Sequence, residues 1–318
     1  MEPKAAVERD TRLMMRAACL PKQGRILPVL ITVWIGVGAC SLAWNPTYYV
    51  LQKEFWSAHI MILFPTYIYL CRKRGQFYEY LGKDIRRSHR IISLVFYWLF
   101  MAYWAYFCYL ELYNNREDPW LEQIGNVFMS VAWYIFFAVA SALYYFTATK
   151  LLQRAEIIKE HVGTLTRYTT KEDFYHVYDH QYDAIRRFGN TWNRMILLVM
   201  FVLIINLPAD ALAIFVKQAW FVIPGLIMKS LGLLWYVWCI CKLNYMEKYL
   251  QNYLHKHHML QDSYDEIMRY MEVRPLYLNF FGLKITFELV MKILLIGLNL
   301  LLPTLYALFS NQIISLSS

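Results

Sequence analysis

Of 318 residues, 58% are hydrophobic, 18% aromatic and only 17% charged. Soluble domains carry about 25% charged residues, so this composition excludes an ordinary soluble globule and points to one polytopic membrane unit. The net charge of +9 would suit a nucleic-acid-binding protein, but here the basic residues flank apolar spans, where cytoplasmic loops account for them and no nucleic acid is expected.

Residues 1–25 form a basic arm with Lys4, Arg9, Arg12, Arg16, Lys22 and Arg25. Leu13, Met14, Ala17 and Leu20 recur at helical spacing, which fits a short amphipathic helix on the inner membrane surface or a solvated arm. The arm has no signal-peptide pattern, so the first span is expected to direct insertion. Seven apolar stretches follow: Ile26–Trp44, Phe55–Cys71, Ile91–Tyr113, Ile124–Phe146, Met195–Val216, Trp220–Cys241 and Leu294–Ile314. Each is about 17–23 residues long, enough to cross the roughly 30 Å hydrocarbon core. The expected fold is an all-α membrane protein of seven transmembrane helices.

Charge sets the direction. Of 32 Lys and Arg, only Lys53, Arg116, Lys217, Lys229 and Lys292 lie outside the amino-terminal arm and the loops 72–90, 147–194 and 242–284. The positive-inside rule then puts the amino terminus in the cytoplasm and the carboxyl terminus outside. The inner loops are long and patterned as helices, so the fourth, fifth and sixth spans are expected to continue inward and build a cytoplasmic anchor. Of the six cysteines, no two fall in outer loops, so no extracellular disulfide is expected. The chain divides into the arm 1–25, a sensor bundle 26–241 with extensions 72–90 and 147–194, an anchor segment 242–292 and a last helix 293–318.

Polar groups inside spans single out candidate sites. Asp210, in the outer half of the fifth span, and Lys229, near the middle of the sixth, differ in depth by about 7–8 Å at 1.5 Å per residue, within reach of a lysine. An isolated charge there costs several kcal/mol on most scales, roughly 3 or more, so the two are expected to pair, bracing the bundle or lining a pocket. The early spans are dense in aromatics, including Tyr103, Trp104, Tyr106, Phe107, Tyr109, Trp133 and Tyr134. A lipid-interface belt explains many of them. Tyr103–Tyr109 covers nearly two turns, however, so some must face inward, and an aromatic cage suits a small organic ligand. Tyr103, Trp104, Phe107, Trp133, Asp210, Lys229 and His59 of the second span are the ligand-pocket candidates, His59 as an interhelical polar group rather than a metal ligand.

The segment Arg274-Pro275 closes the anchor with a helix stop, and Gly282 makes a turn. Lys284, Glu288 and Lys292 follow at i, i+4 and i+8, one charged stripe on an expected helix inside the cytoplasmic base; a long seventh span with snorkelling lysines is the alternative. The last span carries Asn299, Pro303, Tyr306, Asn311 and Gln312 among apolar residues. A helix that only anchors in lipid needs no such groups, whereas one beside water does. Asn299, Leu302 and Tyr306 share a face. Polar groups wet a pore and an apolar ring closes it, so Leu302 or a neighbouring Leu is the gate candidate; packing against spans of the same subunit is the alternative.

From about Tyr270 to the end, the chain resembles the carboxyl-terminal signature of the insect gustatory and odorant receptor superfamily and its wider gustatory receptor-like members. That pattern places a Gly before an apolar helix, then Thr-Tyr, five apolar residues and Gln-Phe. Gly282 stands at the start and Tyr306 lies six residues before Gln312, while Leu305 and Ile313 replace the usual Thr and Phe and Ser310 and Asn311 make the interval less apolar. The resemblance implies a homotetrameric ligand-gated, non-selective cation channel in the plasma membrane. Tyr306 and Gln312 would line the pore, the inner helices would form the anchor, and a small-molecule pocket would lie in the outer half of the earlier spans. No cofactor is implied.

Two other classes stay open. A monomeric transporter shares the composition. A seven-span zinc hydrolase of the adiponectin-receptor type is raised by His176 and His180 at i, i+4, with Asp179 and Asp183 nearby; there, though, the paired His belong inside the last span. A G-protein-coupled receptor is opposed by the inner amino terminus and the missing outer disulfide.

Overall fold

The computed structural model describes residues 87–114, 120–165, 170–217, 223–256, 263–280 and 283–292, and residues 29, 30, 33 and 68 as helical. The arm 1–25, the first, second and seventh spans as units, His59, Asn299, Leu302, Tyr306 and Gln312 lie outside the described residues. What is described is predominantly helical. We number the helices α1 (Arg87–Asn114), α2 (Trp120–Leu165), α3 (Lys171–Lys217), α4 (Ile223–Asn244), α5 (Met246–Lys256) and α6 (Tyr264–Val273), and the strands β1 (Asn279–Phe280) and β2 (Leu283–Lys284).

Two of the helices are long and unbroken. α2 has 46 residues and α3 has 47, each about 70 Å at 1.5 Å per residue, more than twice a hydrocarbon core. α4 runs into α5 with a single turn residue, Tyr245, whose N–H donates to Cys241 O at 2.9 Å while its own carbonyl accepts from Tyr249 N at 3.0 Å. Among the described residues, α4 is long and apolar enough to cross a membrane by length and composition.

α2 is the centre of the bundle. It packs on α1, α3, α4 and α5. Every residue from Ser141 to Leu152 is buried, Lys150 included, whose Nζ donates to Gln153 Oε1 at 2.9 Å. Its hydroxyls are satisfied within the helix: Thr147 Oγ1 donates to Leu143 O at 2.7 Å, and Thr149 Oγ1 donates to the carbonyls of Tyr145 and Phe146. Across helices, Tyr144 donates to the carbonyl of Gly232 on α4 at 2.9 Å, and Tyr236 donates to Thr147 Oγ1 at 2.5 Å.

The flank of the bundle is different. Ile91, Val95, Trp98 and Leu99 on α1, Ile124, Val127 and Val131 on α2, and Ile227, Leu231 and Leu234 on α4 are all exposed. These residues recur every three or four positions, so whole apolar helical faces point outward.

The anchor segment corrects one expectation. α6 stops at Arg274-Pro275, as a proline after a helix requires, with Arg274 N–H donating to Tyr270 O at 3.2 Å. Beyond it, Lys284 is not on a helix: it sits in β2, paired with Asn279, while Phe280 pairs with Leu283. Helix begins only at 287, because Thr286 caps it: Thr286 Oγ1 accepts from Leu289 N at 3.2 Å and its carbonyl accepts from Val290 N at 3.0 Å. Glu288 and Lys292 remain on that helical stretch, both exposed.

Candidate functional site

The seam between α1, α2 and α4 brings together three of the seven pocket candidates. On α4, Gly225, Lys229, Gly232 and Tyr236 recur at i, i+4, i+7 and i+11 and are all buried. They face Phe100, Tyr103 and Trp104 of α1. Lys229 is 3% exposed, and its Nζ lies 4.6 Å from the centre of the Trp104 ring and 5.1 Å from that of Tyr103. A desolvated ammonium over an aromatic face gains about 2 kcal/mol per good contact.

The glycines explain how the rings come so close. A Cβ on Gly225 would overlap the outer edge of the Tyr103 ring, and one on Gly232 would come within 2.6 Å of Phe100 Cζ. Small residues seven apart on an apolar helix let α1 seat its aromatics on the α4 backbone. From α2, Phe137 stacks flat on Trp104 at 3.3 Å, and Tyr144 meets Phe100 edge-on at 5.0 Å. The arrangement is one buried ammonium held in an aromatic box.

Phe107 lies on α1, Trp133 on α2 and Asp210 on α3, and the side chains of all three lie outside the described residues, so the expected Asp210–Lys229 pair does too.

Toward the carboxyl-terminal ends of α2 and α4, polar groups tie the helices together. Lys242 Nζ bonds Glu156 Oε1 at 2.7 Å, with His89 Nδ1 3.8 Å from the same oxygen and 3.4 Å from the lysine. Trp238 covers this group, lying under Lys242 at 5.2 Å and edge-on to His89 at 5.5 Å. Next, Asn244 holds the hairpin from both ends: its Nδ2 donates to Ile285 O at 2.8 Å and its Oδ1 accepts from Leu278 N at 2.9 Å. Lys284 bonds Glu247 Oε2 at 2.6 Å. Between α3 and α6, Asp179 accepts from Tyr270 at 2.6 Å and from Arg274, while Tyr178 donates to Arg274 O at 2.7 Å. Lys171 reaches Glu266 at 3.0 Å.

Burial alone would raise the Asp179 carboxyl, but the hydrogen bonds from Tyr270 and Arg274 and the guanidinium charge outweigh it and hold it below its ordinary range. Burial, then the bond to Asp179, pushes the Tyr270 phenol up to about 12. Asp179 is therefore engaged, and His176 and His180 beside it are exposed on α3. Among the described residues, no group of three or more His, Cys, Asp and Glu side chains is placed to hold a metal ion.

Sequence reasoning missed Gly225, Gly232, Glu156 and Glu247. The signals were present. Leu152, Ala155, Glu156 and Ile158 are all buried at helical spacing, so Glu156 is a carboxylate on an apolar face, where an unpaired charge is not tolerated. No family model, curated protein or solved structure matches this chain.

Proposed function

We propose that the chain is a gustatory receptor-like subunit of a homotetrameric, ligand-gated, non-selective cation channel in the plasma membrane. It crosses the bilayer seven times with its amino terminus inside and its carboxyl terminus outside, and residues Asn299, Leu302, Tyr306 and Gln312 of the last span line or close the pore. The observation that carries this reading is the buried Lys229 beneath Tyr103 and Trp104, inside a bundle whose flank is apolar and whose inner ends are locked by ion pairs.

That geometry supports a route from pocket to pore. Lys229 and Asn244 lie on the same rigid helix, about 22 Å apart at 1.5 Å per residue. Asn244 holds the hairpin that leads through 287–292 toward the last span. A ligand that displaces Lys229 from its rings would shift α4 against α1, and the shift would reach the hairpin through Asn244. Two sites biasing one mechanical element is what ligand gating requires. Lys284, Glu288 and Lys292 keep their anchor role, with Lys284 acting through Glu247 from the hairpin.

Membrane current in cells expressing the chain tests the reading. Leu302→Ser is expected to raise resting conductance, and Lys229→Met, which keeps the side-chain bulk, to change gating while leaving surface expression intact. Normal permeation and gating after substitution at each of Asn299, Leu302, Tyr306 and Gln312 would overturn the pore assignment. Native mass of the purified protein is expected to show four copies; one copy would favour a transporter.

A further inference from the structure

A second site lies outside the aromatic box. Tyr182, Arg186, Gly189, Asn190 and Asn193 follow one another along a face of α3, and across from them runs the segment containing Tyr277. Between the two walls is a cleft of about 280 Å³, at the small end of ligand-sized cavities. Its polar lining is one guanidinium, two carboxamides and two phenols, with no carboxylate among the described lining residues.

The acids near it are turned to other partners. Asp179 is bound by Arg274 and Tyr270, and Glu247 by Lys284, whose Nζ also stands 4.3 Å from the Tyr277 ring. Asp183, on the same stretch of α3, is exposed and does not line the cleft. A donor-rich, net-positive cleft of this size selects an oxyanion with several acceptor oxygens. Its walls are set in advance: Asn244 and Tyr178 hold the segment that carries Tyr277 on either side of it.

Position names the class of ligand. Gly189 to Asn193 immediately precede the apolar stretch that starts at Met195, so in the orientation proposed above, on which this inference rests, the cleft lies at the inner headgroup level. Basic pockets at that depth take anionic headgroups. We infer that this cleft binds a phosphate-bearing anionic headgroup, Arg186 contributing the charge and Tyr277 the opposite wall. Bound there, the phosphate fastens the hairpin segment to α3. The same chemistry is offered by an inner-leaflet phosphoinositide and by a free inositol phosphate.

The test is native mass spectrometry on the full chain purified in detergent, titrated with dioctanoyl phosphatidylinositol bisphosphate, dioctanoyl phosphatidylcholine, inositol trisphosphate and inorganic phosphate. One phosphoinositide per chain is expected, with phosphatidylcholine not retained. Arg186→Gln, at an exposed position that leaves the fold intact, is expected to weaken binding about tenfold, the worth of one charge-assisted hydrogen bond. Gly189→Leu is expected to fill the cleft and abolish it. Arg269→Gln, an exposed arginine on α6, serves as control and should change nothing. Tighter binding of the lipid than of inositol trisphosphate assigns the site to the membrane, and equal binding assigns it to the soluble phosphate; both support the site. Equal loss in Arg186→Gln and Arg269→Gln, or retention of phosphatidylcholine to the same degree, overturns it. Because the readout is an adduct mass and not a current, a silent or monomeric protein that still binds through Arg186 would sink the channel alone, and a conducting tetramer without adducts would sink the site alone.

Discussion

Gly225 and Gly232 look interchangeable in the sequence, yet the residues against them are not equivalent. Replacing a mid-helix glycine by alanine would by itself favour the helix by about 1 kcal/mol. At Gly232 the new Cβ meets Phe100, which is buried and wedged against Tyr144, so overpacking of about 1–3 kcal/mol wins. At Gly225 the Cβ would overlap the partly buried Tyr103 ring, which has to move and give up its contact with the Lys229 ammonium. Thermal unfolding in detergent is therefore expected to show both Gly232→Ala and Gly225→Ala below wild type. Gly225→Ala should also change function, because Tyr103 leaves Lys229 when it moves. A melting temperature at or above wild type for either variant would contradict this account.

At the scale of elements, burial decides which ion pairs matter. Glu156 and Lys242 side chains are 8% and 17% exposed, and the carboxylate joins the carboxyl-terminal part of α2 to the carboxyl-terminal end of α4. Glu156→Gln leaves a buried ammonium without its counter-charge and is expected to cost about 3–5 kcal/mol, read as a large drop in melting temperature. Arg274 and Asp179 are 42% and 39% exposed, so solvent screens them and Arg274→Ala is expected to cost no more than about 1 kcal/mol. Similar losses for both variants would show that these helix ends are held by something other than the buried pair.

The Asp179 group also sets a pH window. Its carboxyl is depressed in the folded state, so its contribution is complete above the unfolded value of 3.8 and disappears as pH falls through the lower folded value. Tyr270 is raised, so its contribution is complete below 10.0 and lost as pH rises toward about 12. Protection of α6 amides from exchange, compared at pH 5 and below pH 4, should fall in wild type and change less in Asp179→Asn.

For the whole molecule, the apolar flank of α1, α2 and α4 and the ion-paired ends of the helices make two zones among the described residues, and the proposal puts the ion-paired zone inside. A reporter at the carboxyl terminus is expected to be reached by an impermeant label on intact cells, and one at the amino terminus only after permeabilisation. The reverse pattern would invert every inside and outside in the proposal.

Much of this fold was legible before any coordinates. Apolar stretches joined to basic, helically patterned loops predicted helices that run on past the apolar residues, and α2 and α3 do so. The stop at Arg274-Pro275 was legible because proline cannot continue that backbone. The stripe at Lys284, Glu288 and Lys292 misled, since i, i+4 spacing says nothing about where a helix starts; the hydroxyl of Thr286 decides that, and Lys284 falls outside it. Tyr103, Trp104 and Lys229 were each conspicuous as polar or aromatic groups in apolar spans, and composition with periodicity was enough to nominate them. That they meet was decided only by the tertiary structure. The contact depends on two glycines letting α1 lie on the backbone of α4, and on Glu156, Asn244 and Glu247 finding partners 86, 41 and 37 residues away. Spacing along one chain determines which face a residue occupies, but only packing determines what that face meets.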